Sequence, residues 1–321
     1  MISINANKSS YETVLDNLKN DGIHQFGSIL DRATAANLYR TAIRKRDFGP
    51  HMFLSEGAYR ASPQHFGVNP KPGFNYLEQF SKELASLEKD AYLIGIIERL
   101  LGAGYWVHNK KFVCGIPDSW IPDWLRKKMQ EASINNLGAY MRPEYRDITY
   151  FHGIDFHQDI IDWPSWPQDM KTHEFVTLYL YIHDVSAQDA PLIVLPRTHI
   201  YGANYFPHRL TRLESGMWKY TDDRDNTIES KPVVLTGETG YAAIWHPCFL
   251  HGTQYISDAT NMRLSLRYIL SRSKNTSEDA GIDEVNALIE GPLYLPNTRK
   301  DLDQSGKVIM NKNHIVEQST E

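Results

Sequence analysis

The strongest constraint on this chain is a strict period of two. In FVTLYLYIHDV, residues 175–185, Val176, Leu178, Leu180 and Ile182 fall on one side of an extended backbone, and Thr177, Tyr179, Tyr181 and His183 fall on the other. The stretch from 261 to 268 repeats the pattern. Met262, Leu264, Leu266 and Tyr268 alternate with Asn261, Arg263, Ser265 and Arg267. A helix would scatter these sets around its axis, so both stretches read as strands. PLIVLPRTH (191–199) reads as a short buried strand closed by a turn, and KPVVLTGETGYAAIWHP (231–247) as two strands around a Gly-rich turn. Short strands with turn signals between them fit a sandwich or jelly roll. One face of the last strand enters a core, while the other carries two arginines. An inward arginine on a barrel strand requires a buried anion.

Ahead of this β texture the chain is mostly helical. SYETVLDNLKNDGI (10–23) places Tyr11, Val14, Leu15 and Leu18 at helical spacing, with Ser9 and Ser10 as caps and Asp21-Gly22 as the stop. LDRATAANLYRTAIRKR (30–46) predicts a second helix capped by Asp31, and 75–102 predicts another helical region. Gly, Pro, His and aromatic residues dominate 47–75, which reads as irregular loop. YWVHNKKFVCGI (105–116) is strand-like, and 117–145 reads as a Pro/Trp-rich insertion with a short basic helix near DWLRKKMQEA. From about Ser271 the chain turns polar. The expectation is one jelly-roll domain over 1–275, mainly β with flanking α-helices. It comprises a helical flank (1–105), a catalytic β core (106–270) carrying the 117–145 insertion, and a loosely held polar tail (276–321).

Composition excludes several functions. A net charge of -5, from 34 Lys and Arg against 39 Asp and Glu, carries no nucleic-acid footprint. No window reaches the ~20 apolar residues of a membrane span, since the best candidate is interrupted by Glu98 and Arg99. MISINANKSS carries no secretion pattern, and Cys114 and Cys248 read as two free thiols. A cytoplasmic enzyme acting on a small molecule, with no membrane or nucleic-acid partner, is the expectation; oligomeric state is not legible.

The chemistry concentrates at DFHQDIIDWP (155–164), where His157 and Asp159 stand two apart. With 13 histidines in the chain, a His-x-Asp arises easily by chance. A third member strengthens it: His251 precedes Gly252 and Thr253, and Arg263 follows twelve residues later. Two histidines and one carboxylate on one face of a metal, with three positions open, form the arrangement of non-haem Fe(II) oxygenases. Two open positions accept the 2-oxo acid group of 2-oxoglutarate and the last accepts O2. The far carboxylate then requires a cation, which Arg263 supplies in bidentate geometry, and Thr253 adds a hydroxyl. Arg267, on the same strand face, is the alternative anchor. His246 competes as third ligand but reads first as a packed histidine after Trp245. His152 and Asp155 read as part of the loop entering the metal strand, His183 as a strand end and His199 as a turn residue.

The pattern FHQD, then TLYLYIHDVSAQDAPLIVLPRTH, then GETGYAAIWHPCFLHGT, then an arginine, resembles the phytanoyl-CoA dioxygenase family from about 150 to 270. The resemblance implies a double-stranded β-helix (a cupin-like jelly roll) with flanking helices. It implies Fe(II) held by His157, Asp159 and His251, with Gln158 beside the cosubstrate and Tyr179 on a cosubstrate-lining strand. Thr253 and Arg263 would hold the distal carboxylate, and 2-oxoglutarate would be converted to succinate and CO2 as a substrate is hydroxylated or desaturated. A carboxylate at 159 argues against halogenation, for which related enzymes lack that ligand. The chain departs from the family in having Gln188-Asp189-Ala190-Pro191 in place of an acidic or amide residue followed by Asn-Gly. It also has Pro196-Arg197-Thr198-His199 in place of Pro-Gly-Ser-His, and its arginine stands at twelve residues rather than eleven.

Two rival readings stay open. One is a non-catalytic jelly-roll ligand-binding protein with a structural metal. The other is a Zn²⁺- or Mn²⁺-dependent hydrolase or isomerase on the same scaffold. Substrate identity is not legible. Segments 47–76 and 117–145 are expected to cover the mouth, with Tyr140, Arg142, Tyr145 and Arg146 as candidate partners of an acidic substrate. Trp163 and Trp166 are candidates for a substrate wall.

Overall fold

A computed structural model describes residues 8–61, 75–131, 136–160, 174–253, 261–272 and 280–301. The helical flank comprises α1 (Tyr11–Asp21), α2 (Arg32–Lys45), α3 (Glu56–Arg60), α4 (Ser81–Leu87) and α5 (Ala91–Leu101), with strand β1 (Ile23–Ser28) between the first two. The predicted caps act as caps: Ser10 accepts from the Thr13 N–H, and Asp31 accepts from the Thr34 N–H at 2.7 Å. Gly22 ends α1 at φ +80°, a conformation that favours a residue without Cβ. The region read as one helical stretch from 75 is broken before α5, where Asp90 accepts from the Leu93 N–H and starts a new helix.

The described residues form thirteen strands. They continue with β2 (Trp106–Gly115), β3 (Thr149–Phe151), β4 (Ile154–His157), β5 (Phe175–Tyr181) and β6 (Leu192–Val194). Helix α6 (Asp123–Glu131) stands in the insertion between β2 and β3. Next come β7 (Arg209–Arg212), β8 (Trp218–Thr221), β9 (Thr227–Ser230), β10 (Val233–Leu235), β11 (Tyr241–Trp245), β12 (His251–Thr253) and β13 (Arg263–Ser271), before helix α7 (Gly281–Asn286). The large sheet runs β1-β11-β5-β13-β2-β3 and the small one β10-β6-β12-β4, while β7-β8-β9 form a third. From β4 to β13 the core strands pass between large and small sheets and pair antiparallel, which is the winding of a double-stranded β-helix. Strands β10 and β11, read as neighbours around a turn, lie in different sheets.

The alternation in β5 and β13 separates two cores. Leu178, Leu180, Leu264 and Leu266 pack with Leu38, Leu84, Ile97 and other helical residues on the outer face of the large sheet. Tyr179, Tyr181, Ala243 and Trp245 pack with Leu192, Val194 and Leu235 between the two sheets. The outer face of the small sheet is covered by the third sheet, with Phe156, Ile193 and Leu250 against Trp218 and Tyr220. Residues 1–105 therefore bring more than helices, because β1 pairs with β11 at the edge of the large sheet. No helix among the described residues is long and apolar enough to cross a membrane, and both cysteines are buried and free.

The loose tail is not what the described residues 280–301 form. The Ala203 N–H donates to Pro292 O at 2.7 Å, Phe206 N–H to Thr298 O at 2.9 Å, and Arg272 pairs with Asp283 at 2.8 Å. Gly291 touches the backbone of Tyr201 so closely that a Cβ there would lie 1.9 Å from the Tyr201 carbonyl oxygen. Main-chain bonds and a glycine contact hold this segment, and neither leaves a hydrophobic period in sequence. Two of the family's turn departures show in the backbone as well: Ala190 and Arg197 both adopt positive φ, +48° and +70°, without being glycine.

Candidate metal centre

Strands β4 and β12 are neighbours in the small sheet, and their register sets His251 opposite His157. Asp159 follows two residues past the end of β4. One ligand atom from each of the three lies within 4.8 Å of the others, and the imidazole centroids are 4.3 Å apart. Each ring is aimed by its own chain. His157 Nδ1 donates to Asp155 O at 2.9 Å, and His251 Nδ1 donates to Phe249 O at 3.1 Å. A carbonyl only accepts, so both rings carry their proton on Nδ1 and present the Nε2 lone pair.

Asp159 is oriented by the large sheet. Its Oδ2 accepts from the Thr177 hydroxyl at 2.7 Å and from Trp245 Nε1 at 3.0 Å, and Arg267 Nη1 approaches Oδ1 at 3.4 Å. Burial alone would raise this carboxyl. The neighbouring His251, Arg267 and His157 and the Thr177 hydroxyl outweigh it and hold the group well below the ordinary carboxylate range. Burial, with the adjacent His251, lowers His157 to about 3. Burial also lowers His251, against the pull of Asp159. Two neutral imidazoles and one carboxylate are the protonation states a divalent metal needs, so binding displaces no proton.

The inward face of β13 supplies the second feature. Arg263 is 0% exposed, yet none of its Nε, Nη1 and Nη2 atoms has a hydrogen-bond partner among the described residues. The same holds for the Tyr179 hydroxyl and Ser265 Oγ. Gly115 lies alongside, where a Cβ would come within 3.5 Å of Arg263 Nε. A buried, unpaired guanidinium costs several kcal/mol unless an anion meets it. The donor set therefore fits Fe(II), and the orphaned guanidinium fits the far carboxylate of 2-oxoglutarate. Thr253 Oγ1 accepts from the Ile154 N–H at 2.8 Å, leaving its own hydrogen to donate.

Other expected residues are placed elsewhere. Gln158, expected beside the cosubstrate, is instead fully buried as a clamp. Its amide donates to Gly202 O and Cys248 O, both at 2.7 Å, and accepts from the Asn204 N–H at 3.0 Å. Strand alternation explains this, because a residue between two inward donors points outward. His246 contacts Asn286 Oδ1 and accepts from the Cys248 N–H, away from the trio. His152 is held by Ile116 O and Asp118, and His183 accepts from the Leu264 N–H. Within the insertion Tyr140 stacks on Tyr59 at 5.0 Å, and Arg146 Nε donates to Met141 O. Trp163 and Trp166 lie outside the described residues. Sequence reasoning missed Thr177 and Trp245 as partners of Asp159, although Thr177 stands on the inward side of the alternation that opened the sequence reading.

Comparisons with known proteins follow the same lines. The model of the phytanoyl-CoA dioxygenase (PhyH) family matches residues 124–260. No curated protein matches the chain at a significant level. Among solved structures, the epimerase SnoN in complex with Fe3+, alpha ketoglutarate and nogalamycin RO is similar at 13% identity and a TM-score of 0.49, covering 94% of this chain and 96% of its own. EctD from S. alaskensis with bound Fe is similar at 13% identity and a TM-score of 0.46, covering 88% of this chain and 83% of its own. AviO1 from Streptomyces viridochromogenes Tue57 follows at 11% identity and a TM-score of 0.43, covering 84% of this chain and 98% of its own. The segment matched by the family model holds all three donors, His157, Asp159 and His251, and the sheets around them wind as a double-stranded β-helix.

Proposed function

We propose that the protein hydroxylates or desaturates a small molecule with Fe(II), 2-oxoglutarate and O2, in specialised metabolism. The observation that carries this reading is the pairing of two features on facing sheets: a three-donor set with ionisation suited to a divalent metal, and a fully buried arginine whose nitrogens meet no hydrogen-bond acceptor among the described residues. A binding module needs neither together, and a hydrolase has no use for the arginine.

In this reading His157, Asp159 and His251 hold the metal, and their orientation is inherited from Asp155 O, Phe249 O, Thr177 and Trp245. Arg263 and Thr253 bind the distal carboxylate of 2-oxoglutarate, with Tyr179 facing the same space. Arg263 is preferred to Arg267 because the latter already stands beside Asp159, whereas a chelating diacid puts its far end away from the metal. The four-residue step from Arg263 to Arg267 spans about 13 Å of strand. When bound, iron and 2-oxoglutarate supply the oxidising chemistry, with release of succinate and CO2. The chain's own part is to fix the direction of both imidazoles, keep Asp159 ionised and exclude water with the Trp245 and Tyr179 rings, which stack at 5.7 Å.

Anaerobic absorption titration tests this reading. Wild type given Fe(II) and then 2-oxoglutarate should develop a weak visible charge-transfer band. His157→Ala should abolish it, and Arg263→Ala should require far more 2-oxoglutarate. A folded wild type that forms no band sinks the oxygenase reading.

A further inference from the structure

We infer that Arg267 is the anchor for a carboxylate on the substrate, so that the enzyme acts on an organic acid; this rests on the oxygenase reading above and names its substrate class. Arg267 is poorly committed within the protein. Its contact with Asp159 Oδ1 is 3.4 Å, whereas a charge-assisted N–H···O bond closes to about 2.8 Å. Its Nε is buried without a partner among the described residues. A guanidinium has five N–H donors in a planar fork, and Asp159 receives one of them at long range.

The surroundings select for a second anion. Across the large sheet Arg267 stands opposite Lys111 on β2 and opposite Tyr179 on β5, so three side chains form a row on the inward face. Two of the three are cationic, and the Tyr179 hydroxyl has no hydrogen-bond partner among the described residues. The two arginines also differ in access. The Arg267 side chain is 17% exposed, while Arg263 is 0% exposed. Arg263 is wholly enclosed, whereas Arg267, beside the donor trio, keeps some solvent contact. A planar carboxylate suits its fork best, and binding there would set that group roughly 6 Å from Asp159, counting one hydrogen bond beyond the present contact. The C–H to be oxidised then lies a few bonds from the acid. Of the residues that the sequence suggested for acid recognition, Tyr140 is stacked on Tyr59 of α3 and Arg146 Nε is engaged with Met141 O.

The test is ligand-observed NMR on Zn(II)-loaded protein with saturating 2-oxoglutarate. The probes are pentanoate, phenylacetate and N-acetylleucine, each beside its primary amide. Wild type should bind the acids in preference to the amides. Arg267→Leu should lose about tenfold or more of the acid affinity, Arg267→Lys should recover part of it, and 2-oxoglutarate affinity should fall far less in both than in Arg263→Leu. Equal binding of acid and amide by wild type would overturn the proposal, as would acid preference that survives in Arg267→Leu. An Arg267→Leu variant that loses 2-oxoglutarate as severely as Arg263→Leu would overturn it too, by placing Arg267 in the cosubstrate site. Calorimetry of Zn(II) and 2-oxoglutarate with wild type reads the oxygenase assignment separately, and circular dichroism confirms that each variant is folded.

Discussion

Both faces of the large sheet are largely buried but differ in what their side chains have found. On the outer face Leu178, Leu180, Leu264 and Leu266 are matched by the helical flank, and each has apolar neighbours on every side. On the inner face Arg263, Ser265, Arg267 and Tyr179 keep donors without partners among the described residues. Both sets alternate along the same two strands, so burial alone does not tell a structural position from a functional one. The outer face stabilises the fold, whereas the unpaired donors of the inner face cost stability that a bound anion would offset.

The largest effect that would break this contrast is on the donor trio. His157→Ala should cut succinate formation by more than about 100-fold, since losing even a residue that only supports a ligand costs 10–100-fold. Thermal unfolding of the metal-free protein should hardly move. A large fall in melting temperature would show that His157 belongs to the packing rather than to a site. Leu266→Ala reverses the pattern. Denaturant unfolding should show a loss of about 2–5 kcal/mol, with metal affinity per folded molecule unchanged.

Arg263→Leu is the sharpest discriminator. Cosubstrate binding should weaken by about 1.5–3 kcal/mol, the worth of hydrogen bonds to a charged group. Stability without ligand should hold or rise, because an unpaired buried charge is replaced by an apolar side chain. Thr177→Val probes the link between the sheets. It removes one of the two donors that orient Asp159 through Oδ2, and calorimetry should show metal affinity falling about tenfold. Smallest is Arg197→Gly. The residue sits at φ +70°, so relieving that strain should raise unfolding free energy by about 1 kcal/mol, with the site untouched.

How much was legible follows from which forces leave a periodic trace. The alternation in 175–185 and 261–268 predicted the strands, their two faces and the inward arginines, because a half-polar strand is written residue by residue. The spacing of His157, Asp159 and His251 was legible for the same reason, since two of them share a short segment and the third precedes the arginine strand. Strand β1 was not legible, because Ile23–Ser28 carries histidine, glutamine and glycine and is strand only through pairing with β11. The third sheet was missed as well, and the seating of 280–301 relies on main-chain bonds that any sequence can make. Gln158 was misplaced because family resemblance assigns neighbours of a ligand without regard to which side of the strand they face.

The two imidazoles also share a local rule. Each gives its Nδ1 proton to the carbonyl two residues before it, so a ring's direction is settled within three residues of chain. Long-range folding has one task left, which is to lay one such unit opposite the other through the pairing of His251 with His157. A slip of one residue between β4 and β12 would turn an imidazole to the far side of the sheet. Metal uptake is thus a register gauge: protein that binds one equivalent has aligned these two strands correctly, and protein with native secondary structure that binds none has not.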